Sequence, residues 1–310
     1  MNDRRSHLDR AAIFWLVLCS ALWGVNQVVA KVALDDIPPL TQAAARSLGA
    51  ALLVALWAYA RRLPTLGRQP WRDPTWRAGL FAGSLFAAEF ACIFIGLQFT
   101  TASRMGVFIY IAPFVVALGM PWLRQGESLN LVQVLGLSGA FAAVAWTLAE
   151  GFTADPGLPH QWLGDLLGLA GGLLWGGTTL AIRASALSHA RAETTLLYQL
   201  AVSGVLLAAA AWGFGESWPT QISTLSLALL AFQIVIICFA SYLLWFWLVR
   251  HYPAAQISSF TLLTPMFGVL AGAWLLNEAI STRLWFALVA VCIGLLLVAR
   301  GGRGRRAQAP

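Results

Sequence analysis

Apolar residues gather into ten long runs along this chain, roughly 11–34, 40–60, 76–98, 102–123, 130–149, 162–184, 194–214, 222–249, 254–276 and 283–299. A helix needs about 20 residues to cross some 30 Å of hydrocarbon, and the runs have that length. The breaks between them are turn chemistry. Asp35-Asp36-Ile37-Pro38-Pro39, the Pro- and Arg-rich stretch 61–77, and Glu150 to Gln161 with Pro156 and Pro159 all interrupt a helical pattern. The pattern predicts an all-α membrane protein of ten transmembrane helices, with no length left for a separate soluble domain.

Composition agrees: 59% of the 310 residues are hydrophobic and only 11% are charged, with a mean hydropathy of +0.73. A soluble domain carries roughly 25% charged residues. Arg4, Arg5 and Arg10 precede the first apolar run as in a signal peptide, but that run extends well beyond an h-region of about 7–15 residues and reads as a first transmembrane helix. The net charge of +7 is topological. The basic residues lie in short loops without interleaved stacking surface, which argues against a nucleic-acid partner. With the N-terminus inside, the cytoplasmic side takes Arg4, Arg5, Arg10, Arg61, Arg62, Arg68, Arg72, Arg77, Arg124, Arg183, Arg191, Arg250, Arg300, Arg303, Arg305 and Arg306, sixteen of the twenty Lys and Arg. Lys31, Arg46, Arg104 and Arg283 fall in the outer half. The bias predicts that both termini are cytoplasmic. Residues 301–310 read as a basic cytoplasmic tail, disordered near anionic headgroups.

The chain also repeats itself. Trp23-Gly24 and Trp175-Gly176, Lys31 and Arg183, Pro113 and Pro265, and Trp122-Leu123 and Trp274-Leu275 are each 152 residues apart. Glu127 and Glu278 follow after a one-residue slip. This divides the chain into five-helix repeats at 11–150 and 161–300. Because five is odd, the second repeat enters the bilayer opposite to the first. Inverted repeats are a recurrent plan of secondary transporters, with the substrate held near midplane between the halves.

Leu22-Trp23-Gly24 opening helix 1, Pro113 before Gly126-Glu127, and Pro265 before Asn277-Glu278 resemble the EamA family of the drug/metabolite transporter superfamily, over residues 11–300. Helix 3 from Glu89 to Gly96 is similar to the matching stretch of YddG-type aromatic amino-acid exporters. The resemblance implies a bacterial inner-membrane exporter of small metabolites. It also implies that helices 1, 3, 4, 6, 8 and 9 surround a central cavity, with helices 2, 5, 7 and 10 outside.

Glu89 stands out among the polar groups within the runs. It lies thirteen residues past Trp76, about 19 Å along a helix and near midplane. An intramembrane carboxylate is costly to insert and marks function by default. Proton coupling, recognition of a substrate ammonium, and a structural ion pair with Arg46 on helix 2 are the alternatives. Lys31 and Arg104, near outer helix ends, either snorkel to the headgroups or bind a substrate carboxylate at the outer mouth of the cavity. Asn26, Gln27, Thr178, Thr179, Ser241, Tyr242, Ser258 and Ser259 must find partners inside the bundle or line its cavity. Trp23 and Trp175, with Tyr110, can stack on an apolar or aromatic substrate or pack in the core. Pro113 and Pro265 break the helical ladder at matching places, either as gating hinges or as static kinks. Glu127 and Glu278 read as caps at mirrored helix ends.

No enzyme signature accompanies these groups, and the sequence implies no cofactor and no metal. Cys19, Cys92, Cys238 and Cys292 lie singly in apolar runs, and His7, His160, His189 and His251 lie in loops or near termini. The expectation is a multi-pass transporter in the bacterial inner membrane that works by alternating access. Neutral or aromatic amino acids are the favoured small-molecule cargo, and a proton gradient is a candidate partner. Efflux of hydrophobic drugs or of other metabolites (purines, sugar phosphates) is the alternative, and a polytopic enzyme or a channel the rival class. Small residues on helix 5 (Gly136, Gly139, Ala143) and helix 10 (Ala287, Ala290, Gly294) permit close packing within one chain or in a homodimer, so both monomer and dimer stay open.

Overall fold

The computed structural model describes residues 9–63, 73–122, 131–152, 158–252, 260–261 and 263–306, and all regular structure among them is helical. The helices are α1 Arg10–Ala33, α2 Pro39–Ala60, α3 Trp76–Gly96, α4 Ala102–Ile109, α5 Ala112–Gly119, α6 Leu131–Glu150, α7 Gln161–Arg183, α8 Ala192–Gly213, α9 Thr224–Phe232, α10 Tyr242–His251, α11 Leu263–Leu275 and α12 Thr282–Arg306. Eight helical segments among the described residues are long and apolar enough to cross a membrane: α1, α2, α3, Ala102–Trp122, α6, α7, α8 and Thr224–Leu248. Two apolar helices are shorter, Leu263–Leu275 and Thr282–Leu297.

Local chemistry sets the boundaries. Asp9 Oδ1 caps α1 by accepting from Ala12 N–H at 2.8 Å, and the Thr101 and Ser223 hydroxyls cap α4 and α9. Pro39 opens α2, where its missing N–H is an orphan position anyway. The run 102–123 is interrupted at Tyr110-Ile111. There Tyr110 N–H and Ile111 N–H turn back to the Val107 and Phe108 carbonyls, and Pro113 restarts the helix as its second residue. Pro265 sits in the first turn of α11, where proline does little damage. Between α9 and α10 the chain winds as a π-helix, Gln233–Ser241. α12 runs on through Arg306. The part of the expected disordered tail from Gly301 to Arg306 is thus helical, since an established helix adds a bond for each residue it fixes.

The main packing crosses between the two halves of the chain: α6 on α12, α3 on α7, α2 on α8 and α1 on α11. Glycines allow the closest approaches. A Cβ on Gly24 would lie 2.6 Å from the Thr264 carbonyl and 2.7 Å from Phe267 Cβ. On Gly172 it would lie 2.5 Å from Ile111 Cγ2, so α7 packs directly on the break between α4 and α5. The small-residue faces noted in the sequence meet within the chain, since a Cβ on Gly294 would stand 2.8 Å from the Gly136 carbonyl. Outward faces carry large apolar side chains, among them Phe14, Leu52, Phe81, Leu135 and Val205, each more than half exposed. Such a surface belongs against lipid rather than water.

The α1–α11 contact yields a test. Gly24→Val forces the two backbones apart and should destabilise the fold by roughly 1–3 kcal/mol. The melting temperature in detergent should fall, whereas Gly139→Ala, with open space at that position, should leave it near wild type.

Candidate functional site

A cavity of about 490 Å³ lies within the bundle. Trp23, Asn26 and Gln27 of α1, Phe86, Glu89 and Phe90 of α3, and Gly106, Ile109 and Tyr110 around the helix break line it. Trp175, Thr179 and Arg183 of α7, Tyr242, Trp245 and Phe246 of α10, and Thr264 and Pro265 of α11 complete the wall, with Leu196 and Gln199 from the first turns of α8. Among the described residues, α2, α6 and α12 contribute nothing to this lining. Of the helices that the resemblance placed outside, the second, fifth and tenth (α2, α6 and α12) stay out of this lining, but the seventh (α8) enters it through Leu196 and Gln199, a correction to that expectation.

The wall is aromatic and its rings meet edge to face, the arrangement their quadrupoles favour. Trp23 lies 5.0 Å from Trp245 and 6.0 Å from Tyr242, and Tyr110 lies 5.6 Å from Trp175. Trp23 is fixed by its indole N–H, which donates to Ser241 Oγ at 2.8 Å. Set into this wall is Glu89, 5% exposed, whose Oε2 has no hydrogen-bond partner. The amide oxygens of Asn26 and Gln27 are also buried without a partner.

Arg46 does not form the expected contact ion pair with Glu89. Its guanidinium lies over the Phe90 ring, 3.9 Å from the centroid, and beside Phe94. Fully buried, it stands near Tyr242 and Glu89, yet none of its three nitrogens has a hydrogen-bond partner. The aromatic face takes the place of the carboxylate.

Three other candidates are occupied within the fold instead of facing the cavity. Lys31 Nζ donates to the carbonyls of Leu97, at 2.9 Å, and Thr100, at the C-terminal end of α3, where a cation is favoured. Thr178 bonds back to the Leu174 carbonyl, and Ser241 bonds to Ile237 as well as to Trp23. Thr179, although in the wall, also bonds back along its helix, to Trp175. Ser258, Ser259 and Glu127 lie outside the described residues.

The opposite end of the bundle is polar and satisfied. Arg104, 4% exposed, does not snorkel. Its Nη2 donates to Asp165 Oδ2 at 2.6 Å and to the Thr147 carbonyl at 2.7 Å, and its Nη1 donates to Glu150 Oε2 at 2.7 Å. Thr100 donates to Asp165 Oδ1 at 2.7 Å, and Ser281 to Glu150 at 2.8 Å. Gly164 lets α7 come this close, since a Cβ there would lie 2.7 Å from the Gly96 carbonyl.

Two further carboxylates cap helices other than their own. Glu278 accepts from Ala102 N–H and Ser103 N–H at the start of α4, and Glu216 from Leu40 N–H and Thr41 N–H at the start of α2. Each directly follows a residue with left-handed backbone, Asn277 (φ 53°) or Gly215 (φ 76°), a conformation that Asn and Gly tolerate. Outside the helices, Asp36 accepts from the Ser223 hydroxyl and N–H, which holds its carboxyl below the usual carboxylate range.

Sequence reading missed Asp165, a fully buried acid. The available signal was its level: Asp165 and Arg104 both lie within the first turns of runs that start on the same side. Removing one partner of a buried pair strands the other and costs about 3–5 kcal/mol. Asp165→Ala should therefore lower the melting temperature sharply, and Arg104→Met added to Asp165→Leu should recover much of the loss. Thermal unfolding of the single and double variants measures this.

The EamA-like transporter family model matches residues 10–149 and again residues 162–300. The uncharacterised transporter YvbV of Bacillus subtilis (strain 168) is 26% identical over 289 residues, covering 93% of this chain and 91% of the relative. A probable amino-acid metabolite efflux pump of Escherichia coli (strain K12) is 23% identical over 305 residues, covering 94% and 95%. A protein of known crystal structure superimposes with a TM-score of 0.64 at 20% identity, over 97% of this chain and 100% of the other, a likeness of fold. With the family match spanning nearly all of its length, the chain belongs to the EamA-like transporter family.

Proposed function

We propose that this protein is a secondary transporter of the bacterial inner membrane, with ten spans in two inverted five-helix repeats (11–150 and 161–300) and both termini, including the basic tail 301–310, in the cytoplasm. It moves small metabolites by alternating access, and neutral or aromatic amino acids are the favoured cargo. The observation that carries this reading is the aromatic cavity with an unpaired, buried Glu89 in its wall. An isolated carboxylate in a bundle interior calls for an external partner, either a proton or a cationic group of the cargo. The relative described as a probable amino-acid metabolite efflux pump supports the cargo class.

The packing supports the inverted repeat. Exchanging the halves turns the α1–α11 contact into the contact of α7 with α4 and α5, and turns α2–α8 and α6–α12 into themselves. The cavity reaches Arg183, the last residue of α7, on the side that carries Arg61, Arg62 and Arg191. With the arginine-rich side cytoplasmic, this is an inward-facing state, closed outside by the Arg104–Asp165 network. In this scheme the gating hinges lie where the chain enters the helices that Pro113 and Pro265 begin, α5 and α11. An efflux role for hydrophobic drugs draws support from the same aromatic wall and is the second reading.

Two experiments test the proposal. Single cysteines at Ser188 and Thr220, exposed positions flanking α8, are placed on a cysteine-free background. Thr220→Cys should react with an impermeant maleimide on intact cells and Ser188→Cys should not; reaction of both would refute the topology. In proteoliposomes the wild type should show saturable amino-acid counterflow. Glu89→Gln, at an unchanged melting temperature, should lose accumulation driven by a pH gradient, and unsaturable flux would identify a channel instead.

A further inference from the structure

The charges along the cavity are unevenly distributed, and this bears on which part of the cargo is recognised. Among the described lining residues, Glu89 is the only carboxylate, and Arg183 is the only Lys or Arg. Glu89 sits about 19 Å along α3 from Trp76, whereas Arg183 is the last residue of α7 at that same end of the bundle. The other cations inside the bundle do not line the cavity. Lys31 is held by carbonyls beyond the closed end of the cavity, Arg104 by its acid partners, and Arg46 stands behind the Phe90 ring, outside the lining.

Resting on the carrier reading above but replacing its amino-acid cargo, we propose that the cavity recognises the ammonium group of its cargo and prefers aromatic monocationic amines to the parent α-amino acids. An ammonium has three donors and no acceptor. It matches the free Glu89 oxygen and the unpartnered amide oxygens of Asn26 and Gln27. The faces of the surrounding rings add attraction for a cation, and the same rings accept an aromatic body. An α-amino acid brings a carboxylate on the same carbon as its ammonium. With the ammonium at Glu89, that carboxylate is too far from Arg183 to pair with it and lies next to a like charge in a low-dielectric wall, which is unfavourable.

The test compares phenethylamine, phenylalanine and 3-phenylpropionate, which share a ring and differ in charge. Binding to the purified wild-type protein in detergent is followed by quenching of its tryptophan fluorescence. Phenethylamine should bind at least tenfold more tightly than phenylalanine, and 3-phenylpropionate should show no saturable binding. Glu89→Gln should weaken phenethylamine at least tenfold while Glu89→Asp keeps part of the affinity, with melting temperatures confirming that both variants fold. Equal or tighter binding of phenylalanine, no saturable binding of phenethylamine, or full phenethylamine affinity in a folded Glu89→Gln overturns the proposal. Counterflow in proteoliposomes is the separate arm. If the amine preference holds in binding but none of the three exchanges, the carrier reading fails and the ligand preference stands. If phenylalanine binds best and exchanges, the carrier reading stands and the preference fails.

Discussion

A guanidinium inside a membrane protein keeps its five N–H donors satisfied only if the surrounding helices bring acceptors to it. Arg104 meets this requirement with acceptors from two helices, Asp165 on α7 and both Glu150 and the Thr147 carbonyl on α6. Asp165 in turn holds Thr100 at the end of α3, and Glu150 holds Ser281 at the start of α12. One side chain therefore fixes the relative height of five helix ends. The cavity lies away from this network, with Arg183 in its lining and Arg104 outside it.

The polar groups inside the bundle differ in whether the protein itself answers them. At the closed end the carboxylates of Asp165, Glu278 and Glu216 accept hydrogen bonds from named donors, and the Lys31 ammonium is spent on helix-end carbonyls. Around the cavity, Glu89, Asn26 and Gln27 present oxygens that no protein donor meets. An unmet acceptor in a low-dielectric wall is destabilising.

Much of this was legible in the chain. Apolar run length located the helices, because bilayer thickness leaves little choice of span length. Insertion cost singled out Glu89, and the 152-residue offset paired Trp23 with Trp175, both of which line the cavity. What the sequence left hidden was pairing between runs. Arg104 and Lys31 each read as snorkelling because burial depends on neighbours that a one-dimensional pattern does not specify. Asp165 escaped notice because it lies near the end of its run, where an acid ordinarily faces headgroups. Arg46 was assigned to Glu89 by depth alone, and depth does not distinguish a carboxylate from the face of Phe90.

The π-helical stretch Gln233–Ser241 has a bearing on how helical faces are counted. Each turn of such a stretch holds more residues than the 3.6 of an α-helix, so the chain beyond it is rotated relative to a uniformly wound continuation. α9 and α10 therefore do not share one helical wheel, although they belong to one continuous span, Thr224–Leu248. Tyr242, Trp245 and Phe246 reach the cavity from the re-phased portion. A stripe drawn across residues 222–249 at constant periodicity would assign the two ends to the wrong faces. In this span winding, as much as residue order, decides which aromatic groups the cavity sees.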